Sequence, residues 1–357
     1  MIIKNRKNVI IHDYLESFGG GERIIKFLCN KIKSYFIYGF KNKKFTQNLN
    51  KKKFSYQLCN PNIPKFIKKI YLIKKFQQLK ISDSVLNCFI TGNYSIFTNF
   101  EDAKNSIYYC HSLPRLIFRY NSFYKKRFFL KFITNIFKKF FIKSYTKQLN
   151  KFNTIVANSR FTKNQLKKYT NKDINVIFPP IDTHKAKWIG QENFFVSNSR
   201  HEDFKNIDKI IFAFKRVRKF KLIITSHGSR TNYLKKISKD YDNIVFTGLI
   251  GDKEYYNLLG RCLALINISN YEDFGMSIVE GLACGKASFI YPEGGITEYS
   301  KNNFNSFFVN KNDENDLFKK INNININKLK KIKNNCIQTS LKFSDKVFLK
   351  KINKLLI

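Results

Sequence analysis

Short apolar runs alternate with amphipathic stretches along most of the chain. The apolar runs predict buried β-strands, and the amphipathic stretches, with apolar residues at helical spacing, predict the helices between them. Predicted strands in the first half of the chain are 8–14, 35–38, 85–90, 107–109, 154–157 and 175–178. Predicted strands in the second half are 194–197, 221–226, 243–246, 262–268, 287–291 and 306–309. This alternation is typical of parallel sheets covered by helices on both faces.

The length of 357 residues exceeds what one hydrophobic core usually organises, so two domains are expected. Pro179 and Pro180 end the first series of strands, and residues 184–192 are interpreted as a linker. We predict an α/β fold in which two Rossmann-like domains face each other across a cleft. The predicted domains are 1–186 and 187–340, followed by a C-terminal helix within 341–357.

The chain is strongly basic, with 66 Lys and Arg residues, 25 Asp and Glu residues and a formal net charge of +41. Such an excess of positive charge can bind nucleic acids, anionic membrane surfaces or polyanionic substrates. It can also reflect an A/T-rich genome, because Lys, Asn, Ile and Phe are all used heavily. Two predicted helices, 65–80 and 124–147, interleave lysine with aromatic and aliphatic residues. This composition suits an anionic bilayer surface, or ordinary helices with one face on a core. Nucleic-acid binding is disfavoured, because no base-stacking or groove-reading motif accompanies the charge.

The cysteine pattern bears on the cellular compartment. The seven cysteines are scattered and no pair has CxxC spacing, which disfavours zinc binding and a disulfide framework.

No uninterrupted apolar run approaches the roughly 18 residues of a membrane span, and the charged N-terminus does not resemble a signal peptide. We expect a cytoplasmic chain that can bind peripherally at the inner face of the membrane.

Two carboxylates eight positions apart, Glu272 and Glu280, flank a predicted strand-to-helix transition. Glu272 follows the predicted strand 262–268, and Glu280 is expected on the opening turn of the next helix. The amides of Phe274, Gly275 and Met276 lie between them, where a helix N-terminus can bind an anion. Carboxylates bind hydroxyl groups, so the combination indicates a sugar nucleotide at the carboxyl ends of the strands. A structural alternative is that Glu280 forms a capping box with the residue three positions earlier.

Further candidates follow other predicted strands. Arg200 and Lys205 come directly after 194–197, where two cations can neutralise a departing diphosphate without a metal. Gly20 and Gly21 follow the first strand and open a helix, where glycine lets the backbone approach a phosphate or a sugar. The loop lacks the G-x-G-x-x-G pattern and its acidic residue, which disfavours NAD binding. His111 follows the strand 107–109.

These motifs together resemble glycosyltransferase family 4, whose members are retaining enzymes of the GT-B fold. The carboxylate pair resembles the family's Glu-x7-Glu motif, and Arg200 with Lys205 resembles its pyrophosphate-binding pair. The glycine-rich loop at 19–23 and the Tyr-Cys-His sequence ending at His111 resemble those of bacterial GDP-mannose-dependent mannosyltransferases. Residues 294–298 continue the resemblance as a loop near the donor sugar.

The resemblance implies a retaining transferase that moves a hexose, mannose from GDP-mannose, onto a glycan or lipid-linked acceptor in surface polysaccharide synthesis. It implies that the cation pair holds the diphosphate with help from amides of the glycine loop and of 274–276. It also implies that Glu272 binds donor-sugar hydroxyls, that Glu280 binds the ribose, and that His111 contacts the sugar near its C6 hydroxyl. No cofactor or metal is expected, and the C-terminal helix is expected to cross back to the first domain.

Three alternatives remain open at this stage. The donor could be a UDP- or ADP-sugar, or the chain could be another GT-B enzyme such as an epimerase or a phosphorylase, although no lysine-bound cofactor site is evident. The chain could also be a non-catalytic basic protein that binds membranes or nucleic acids on this fold. The metal signature of GT-A transferases occurs as Asp240 and Asp242, but it precedes a predicted strand, so a solvated loop is expected there.

Overall fold

The computed structural model describes residues 1–16, 19–42, 55–60, 62–114, 117 and 128–357. The chain divides into two compact units, of which the first contains Met1–Phe178 with Lys350–Ile357 and the second contains Pro179–Leu349. The first boundary therefore lies between Phe178 and Pro179, whereas the sequence placed it after residue 186. Ile181 belongs to the second unit, where its backbone N–H donates to Phe343 O at 2.8 Å.

Parallel strands form the framework of the first unit. In chain order they are β1 (Ile2–Ile3), β2 (Asn8–Leu15), β3 (Tyr35–Lys41), β4 (Ser55–Gln57), β5 (Lys80–Ile81), β6 (Asn87–Thr91), β7 (Asn105–Cys110), β8 (Thr154–Ala157) and β9 (Ile174–Val176). The main sheet has the order β4-β3-β2-β6-β7-β8-β9, while β1 and β5 form a separate parallel pair. Every residue of β6 and β7 is buried, so the middle of this sheet is covered on both faces.

Helices close the core of the first unit. They are α1 (Gly20–Lys31), α2 (Lys65–Gln77), α3 (Phe128–Leu149) and α4 (Arg160–Leu166). Leu72 and Phe76 of α2 pack in one apolar cluster with residues of β2, β3 and β6. Tyr145 of α3 is fully buried and its hydroxyl hydrogen-bonds the Tyr108 hydroxyl at 2.8 Å. Residues 124–127, the start of the predicted helix 124–147, lie outside the described residues.

The second unit contains one parallel sheet whose strand order changes direction in the middle. Its strands are β10 (Phe194–Ser197), β11 (Lys221–Thr225), β12 (Ile244–Gly248), β13 (Ala264–Asn267), β14 (Ser288–Ile290) and β15 (Ser306–Phe308). The spatial order is β12-β11-β10-β13-β14-β15, so consecutive strands are added to one side of β10 and then to the other. In open α/β sheets, ligands bind at such a switch point, outside the carboxyl ends of the strands.

The helices of the second unit are α5 (Ile207–Phe214), α6 (Thr231–Ser238), α7 (Asp252–Arg261), α8 (Met276–Ala283), α9 (Asp316–Asn322), α10 (Ile326–Lys331), α11 (Lys333–Leu341) and most of α12 (Asp345–Asn353). Helix α8 is buried along most of its length and packs against α11. The Asn- and Lys-rich tract at 321–335 is largely helical, as its spaced isoleucines predict. Among the described helices, none is both long and apolar enough to cross a membrane.

The last residues of the chain return to the first unit and are held there by side-chain amides. Asn105 Nδ2 donates to Leu355 O at 2.7 Å, and Asn87 Nδ2 donates to Ile357 O at 3.0 Å. The Ile357 N–H in turn donates to Asn87 Oδ1 at 3.0 Å. Helix α12 ends at Asn353, so these bonds hold the tail beyond the helix.

The predicted α/β fold class is confirmed by the two parallel sheets. The predicted bounds of β8 and β10 agree with the structure, and most other predicted strands shift by one to three residues. The short strands β1, β4 and β5 were not predicted. All seven cysteines are free and buried.

Candidate active site

Two loops at the carboxyl edge of the second sheet carry most of the predicted donor-binding residues. Because β10 and β13 are neighbouring parallel strands, the loops that follow them leave the sheet side by side. The loop after β10 contains Arg200 and Lys205, and the loop after β13 contains Glu272. The Asn270 N–H donates to Phe204 O at 2.8 Å and joins the two loops directly.

Asn206 reinforces this junction. Its backbone has a φ of 51°, in the left-handed region that asparagine adopts more readily than most residues. Its side-chain Nδ2 donates to Ile268 O at 2.8 Å. Asn206 therefore ties the start of α5 to the chain just beyond β13, and it holds the preceding Lys205 beside the second loop.

Lys205 and Glu272 form an ion pair, in which Lys205 Nζ donates to Glu272 Oε2. Their side chains are only 10% and 15% exposed, respectively. Solvent screens such a pair weakly, and removal of one partner leaves the other charge desolvated. The structure thus brings together two of the predicted site residues, which are 67 positions apart in the sequence.

Arg200 is placed differently. Its side chain is exposed, and its guanidinium has no hydrogen bond or ion pair with the residues that the structure describes. The next residue, His201, is fully buried and anchors the backbone, with Nδ1 2.8 Å from Thr231 Oγ1 and Nε2 3.1 Å from Thr225 O. Burial lowers the pKa of His201. Arg200 therefore projects from a fixed point on the same edge of the sheet.

The loop at 294–298 holds the backbone of Glu272 in place. The Gly295 N–H donates to Glu272 O at 2.7 Å. Gly294 has a φ of 85°, and a Cβ at this position would lie 2.3 Å from Glu272 O, so only glycine permits the approach. Tyr299 OH donates to Phe274 O at 2.6 Å, which fixes the next part of the same segment.

The three amides between the predicted carboxylates lead into α8. Gly275 is the N-cap residue, with a φ of 81°, and Met276 is the first helical residue. The Phe274 ring is buried, with its centroid 5.6 Å from that of Tyr299 and 5.3 Å from that of Phe343. Phe274 can therefore reach a ligand through its backbone rather than its ring. Amides at a helix N-terminus favour an anionic group such as a phosphate.

Glu280 is fully buried on the second turn of α8, not on its opening turn as the sequence suggested. Its Oε2 accepts a hydrogen bond from Tyr255 OH at 2.7 Å. The capping-box alternative is wrong, because the helix begins at Met276 after the N-cap Gly275. Ser277 is therefore already helical, and its hydroxyl oxygen lies 3.3 Å from Asn267 Nδ2, which donates to it.

Two residues that the sequence did not single out lie behind Glu280. Tyr255, on α7, donates to the carboxylate, and its hydroxyl accepts a hydrogen bond from Asn198 Nδ2 at 2.6 Å. Asn198 directly follows β10, so its position at the carboxyl end of a strand was a usable signal. Tyr255 carried no such signal, because only the packing of α7 against α8 reveals which of its neighbours its hydroxyl meets.

In the first unit, the predicted residues also gather at the carboxyl ends of strands. Gly20 and Gly21 open α1 after β2, and the Gly19 N–H donates to Glu22 Oε2 at 3.0 Å. A Cβ at Gly21 would lie 3.6 Å from His111 Cδ2, so the glycine loop and His111 are neighbours. Arg115, four positions beyond this histidine, lies outside the described residues.

The surroundings of His111 keep its imidazole neutral. Its Nε2 atom is buried and has no hydrogen-bond partner in the described part of the chain. Burial, with a smaller contribution from His12, lowers the pKa of His111 to about 3. His12 lies within β2, its ring centroid 6.4 Å from that of His111 and its Nδ1 2.7 Å from Thr91 Oγ1. The sequence analysis missed His12, although a histidine within an apolar strand is a recognisable signal.

Asp240 and Asp242 are exposed and precede β12, at the amino end of the strand. Within the described ranges, no group of three His, Cys, Asp or Glu side chains could hold a metal ion.

Comparisons with known proteins bear on both units. Residues 181–343 match the profile of the family described as "Glycosyl transferases group 1". The uncharacterized glycosyltransferase MJ1178 of Methanocaldococcus jannaschii is 30% identical over 205 residues, which make up 56% of this chain and 55% of that protein. The alpha-1,3/1,6-mannosyltransferase ALG2 of Candida albicans is 31% identical over 129 residues, 32% of this chain and 27% of that protein. The chain thus spans about half, or less, of the length of these curated relatives.

A solved structure extends the similarity to nearly the whole chain. The crystal structure of Anabaena Alr3699/HepE in complex with UDP and glucose superposes with a TM-score of 0.74 and 17% identity. The match covers 98% of this chain and 99% of that one, and at this identity it establishes the fold alone. Together the comparisons show that residues 181–343 are similar to the glycosyl transferases group 1 family and that the chain has the GT-B fold.

Proposed function

We propose that the chain is a retaining glycosyltransferase that takes a hexose from a nucleotide sugar and transfers it to a glycan or lipid-linked acceptor. The observation that carries this proposal is that Lys205 pairs with Glu272 at the carboxyl ends of β10 and β13. Glu280 is linked to the same edge through Tyr255, which accepts a hydrogen bond from Asn198 directly after β10. A cation, hydroxyl-binding carboxylates and a helix N-terminus at one edge of the sheet suit the parts of a sugar nucleotide.

Each group has a role that its surroundings support. Lys205 and Arg200 bind the diphosphate together with the amides of 274–276, and Lys205 stays linked to Glu272. Glu272 binds hydroxyls of the donor sugar. Glu280, held by Tyr255, binds the ribose, whose adjacent hydroxyls suit one bidentate carboxylate. In the first unit, the neutral imidazole of His111 hydrogen-bonds a sugar hydroxyl, and the amides of Gly20 and Gly21 assist with the phosphate.

In the proposed reaction, the bond between the sugar C1 and the diphosphate oxygen breaks, and the nucleoside diphosphate leaves with the electron pair. The acceptor oxygen forms the new bond to C1 on the same face. The acceptor proton passes to the departing phosphate oxygen. Positive charge at Arg200 and Lys205 stabilises the negative charge that develops on the leaving group, and such fixed charges commonly supply a large share of catalysis.

The donor has two candidates. GDP-mannose follows from the sequence resemblance to mannosyltransferases, and the similarity to the mannosyltransferase ALG2 supports it. A UDP-hexose is the second candidate, because the structural neighbour HepE was crystallised with UDP and glucose and with UDP-glucose. We propose GDP-mannose as the first donor to test. In either case the reaction requires no resident cofactor.

Nucleotide binding gives the first test. Titration calorimetry with GDP, UDP and ADP should show binding of one nucleotide, and Glu280→Gln should weaken it at least tenfold, the scale of a lost charged hydrogen bond. Glu254→Gln is a matched control, because Glu254 is an exposed glutamate on α7. Equal affinity in wild type and Glu280→Gln would contradict the assigned ribose contact.

Turnover gives the second test. GDP-mannose and UDP-glucose are supplied in separate assays, and the rate of donor hydrolysis or of sugar transfer is measured. Lys205→Ala should reduce kcat/KM by roughly 10²-fold or more, the scale of one lost transition-state contact. Full turnover in Lys205→Ala would overturn the diphosphate assignment. Nucleotide binding without turnover of any donor would instead favour a non-catalytic protein on this fold.

A further inference from the structure

A pocket with both polar and apolar lining lies at the carboxyl ends of the two last strands of the second sheet. We call it the edge pocket; it has a volume of about 430 Å³ and is lined by Tyr291, Pro292, Glu293, Phe308, Val309, Asn310, Lys311, Asn312 and Lys320. Such a volume falls within the range of small-molecule sites. The pocket follows β14 and β15, whereas the predicted donor-binding loops follow β10 and β13. The edge pocket is therefore a separate feature of the same sheet edge.

The two lysines that line the edge pocket are both paired with carboxylates, of which Glu293 belongs to the lining and Asp316 lies outside it. Lys311 Nζ pairs with Glu293 Oε1, and Lys320 Nζ pairs with Asp316 Oδ1. The other oxygen of Asp316 accepts a hydrogen bond from the Asn310 N–H at 2.7 Å. Two cations matched by two carboxylates leave little net field for a phosphate or a metal ion. The pocket therefore favours a ligand without charge.

One acceptor in the pocket lacks a donor. Glu293 Oε2 is buried and has no hydrogen-bond partner within the described residues. Buried polar atoms of folded proteins are nearly always hydrogen-bonded, and an ionised carboxylate oxygen can only accept. A hydroxyl group from a ligand would supply the missing donor. Tyr291 stays a neutral phenol, since burial and the nearby Glu293 raise its pKa to about 12.

The remaining lining groups specify what kind of hydroxyl-bearing ligand fits. The Asn310 and Asn312 amides can donate and accept, and the two paired ammonium groups can donate further bonds. Pro292 and Phe308 supply apolar surface beside them. Hydroxyl groups around an apolar ring face are the features of an uncharged sugar. We propose that the edge pocket is a carbohydrate-binding site, in which Glu293 Oε2 accepts a hydrogen bond from a sugar hydroxyl.

This site is linked to the loop that carries Glu272 without being part of it. Lys311 Nζ lies 5.8 Å from the centroid of the Tyr271 ring, next to Glu272 in the sequence. Gly294, which directly follows Glu293, pairs with Glu272 through an isolated β-bridge. A neutral sugar bound here would therefore lie beside the proposed donor site. The proposal rests on the lining of the edge pocket, so it can hold even if the chain transfers no sugar.

Saturation-transfer NMR with maltose, sucrose and α-1,2-mannobiose tests the proposal. GDP and UDP are present in excess, so that the proposed nucleotide site is occupied. We expect saturable binding of at least one disaccharide to the wild type and at least tenfold weaker binding to Glu293→Gln. Glu254→Gln, an exposed glutamate far from the pocket in the sequence, should bind as the wild type does.

Further variants separate the possible outcomes. Lys320→Gln removes an ammonium group from the lining, and it should also weaken disaccharide binding. This variant keeps the test available should Glu293→Gln fail to fold. Loss of disaccharide binding in Glu272→Gln but not in Glu293→Gln would assign the sugar to the donor site and overturn the proposal. Binding of inorganic phosphate in place of the sugars, or of no sugar at all, would overturn it too. If the protein transfers no sugar but binds a disaccharide as described, only the proposed activity is contradicted, and the proposed carbohydrate-binding site stands.

Discussion

The hydrogen bond between Tyr255 and Glu280 gives the most discriminating prediction. The Glu280 carboxylate is fully buried, and Tyr255 OH donates to it at 2.7 Å while accepting from Asn198 Nδ2 at 2.6 Å. Tyr255→Phe removes both bonds and changes the side-chain volume very little. Hydrogen bonds to charged groups contribute about 1.5–3 kcal/mol, so the free energy of unfolding should fall by about 2 kcal/mol.

The same substitution should weaken nucleotide binding. Without the phenol, the carboxylate loses a bond that fixes its orientation, and part of the binding energy is spent on restoring that orientation. A loss of about 1.4 kcal/mol corresponds to a tenfold higher Kd. The Kd for GDP or UDP should therefore rise roughly tenfold in Tyr255→Phe.

Calorimetric titration with the nucleotide that binds the wild type, and urea unfolding, measure the two effects. Tyr233→Phe is the matched control, because Tyr233 is 42% exposed on α6 and should change neither quantity. Tyr255→Phe could bind nucleotide as tightly as the wild type while Glu280→Gln binds it more weakly. In that case the hydrogen bond from Tyr255 does not position the Glu280 carboxylate for the nucleotide. An unchanged free energy of unfolding in Tyr255→Phe would refute the reasoning from the buried hydrogen bond.

Two further predictions concern protonation and surface binding. The pKa of His111 is lowered from 6.5 to about 3, so between these values the unfolded chain binds the proton and the folded chain does not. The free energy of unfolding should consequently decrease as the pH falls through this window, and His111→Gln should decrease less steeply; identical slopes would contradict the buried, neutral imidazole. Helix α2 exposes Ile67 and Ile70, at 42% and 57%, beside exposed lysines, so the protein should sediment with anionic vesicles and be released by salt. Lys69→Glu should weaken this sedimentation, because each lysine near an anionic surface contributes about 1 kcal/mol, and equal binding to neutral vesicles would leave the charge without a role in docking.

The strands show which elements a local sequence pattern can predict. β8 and β10 have the predicted bounds because each is a short apolar run between polar residues. The strands β1 and β5 have two residues each and exist because they pair with one another, Ile2 with Lys80 and Ile3 with Ile81. A two-residue segment has no periodicity of its own, so no local pattern predicts it.

The candidate site likewise contains residues that the sequence could locate and contacts that only the structure shows. The sequence placed Arg200, Lys205 and Glu272 after strands, and parallel strands in an α/β fold present such residues at one edge of a sheet. It could not show that β10 lies beside β13, and this adjacency brings Lys205 to Glu272. For Glu280, the sequence left a capping box and a ligand contact open, and the left-handed N-cap at Gly275 decided against the capping box.

The sequence by itself therefore determined the fold class, most strand positions and the residue types at the carboxyl ends of the strands. These depend on hydrophobic periodicity and on residues close together in the chain. Only the tertiary structure decided the contact of Tyr255 with Glu280 and the return of Ile357 to Asn87. Each of these joins segments that are distant in the sequence, because strand order and helix packing, rather than local propensity, bring their side chains together.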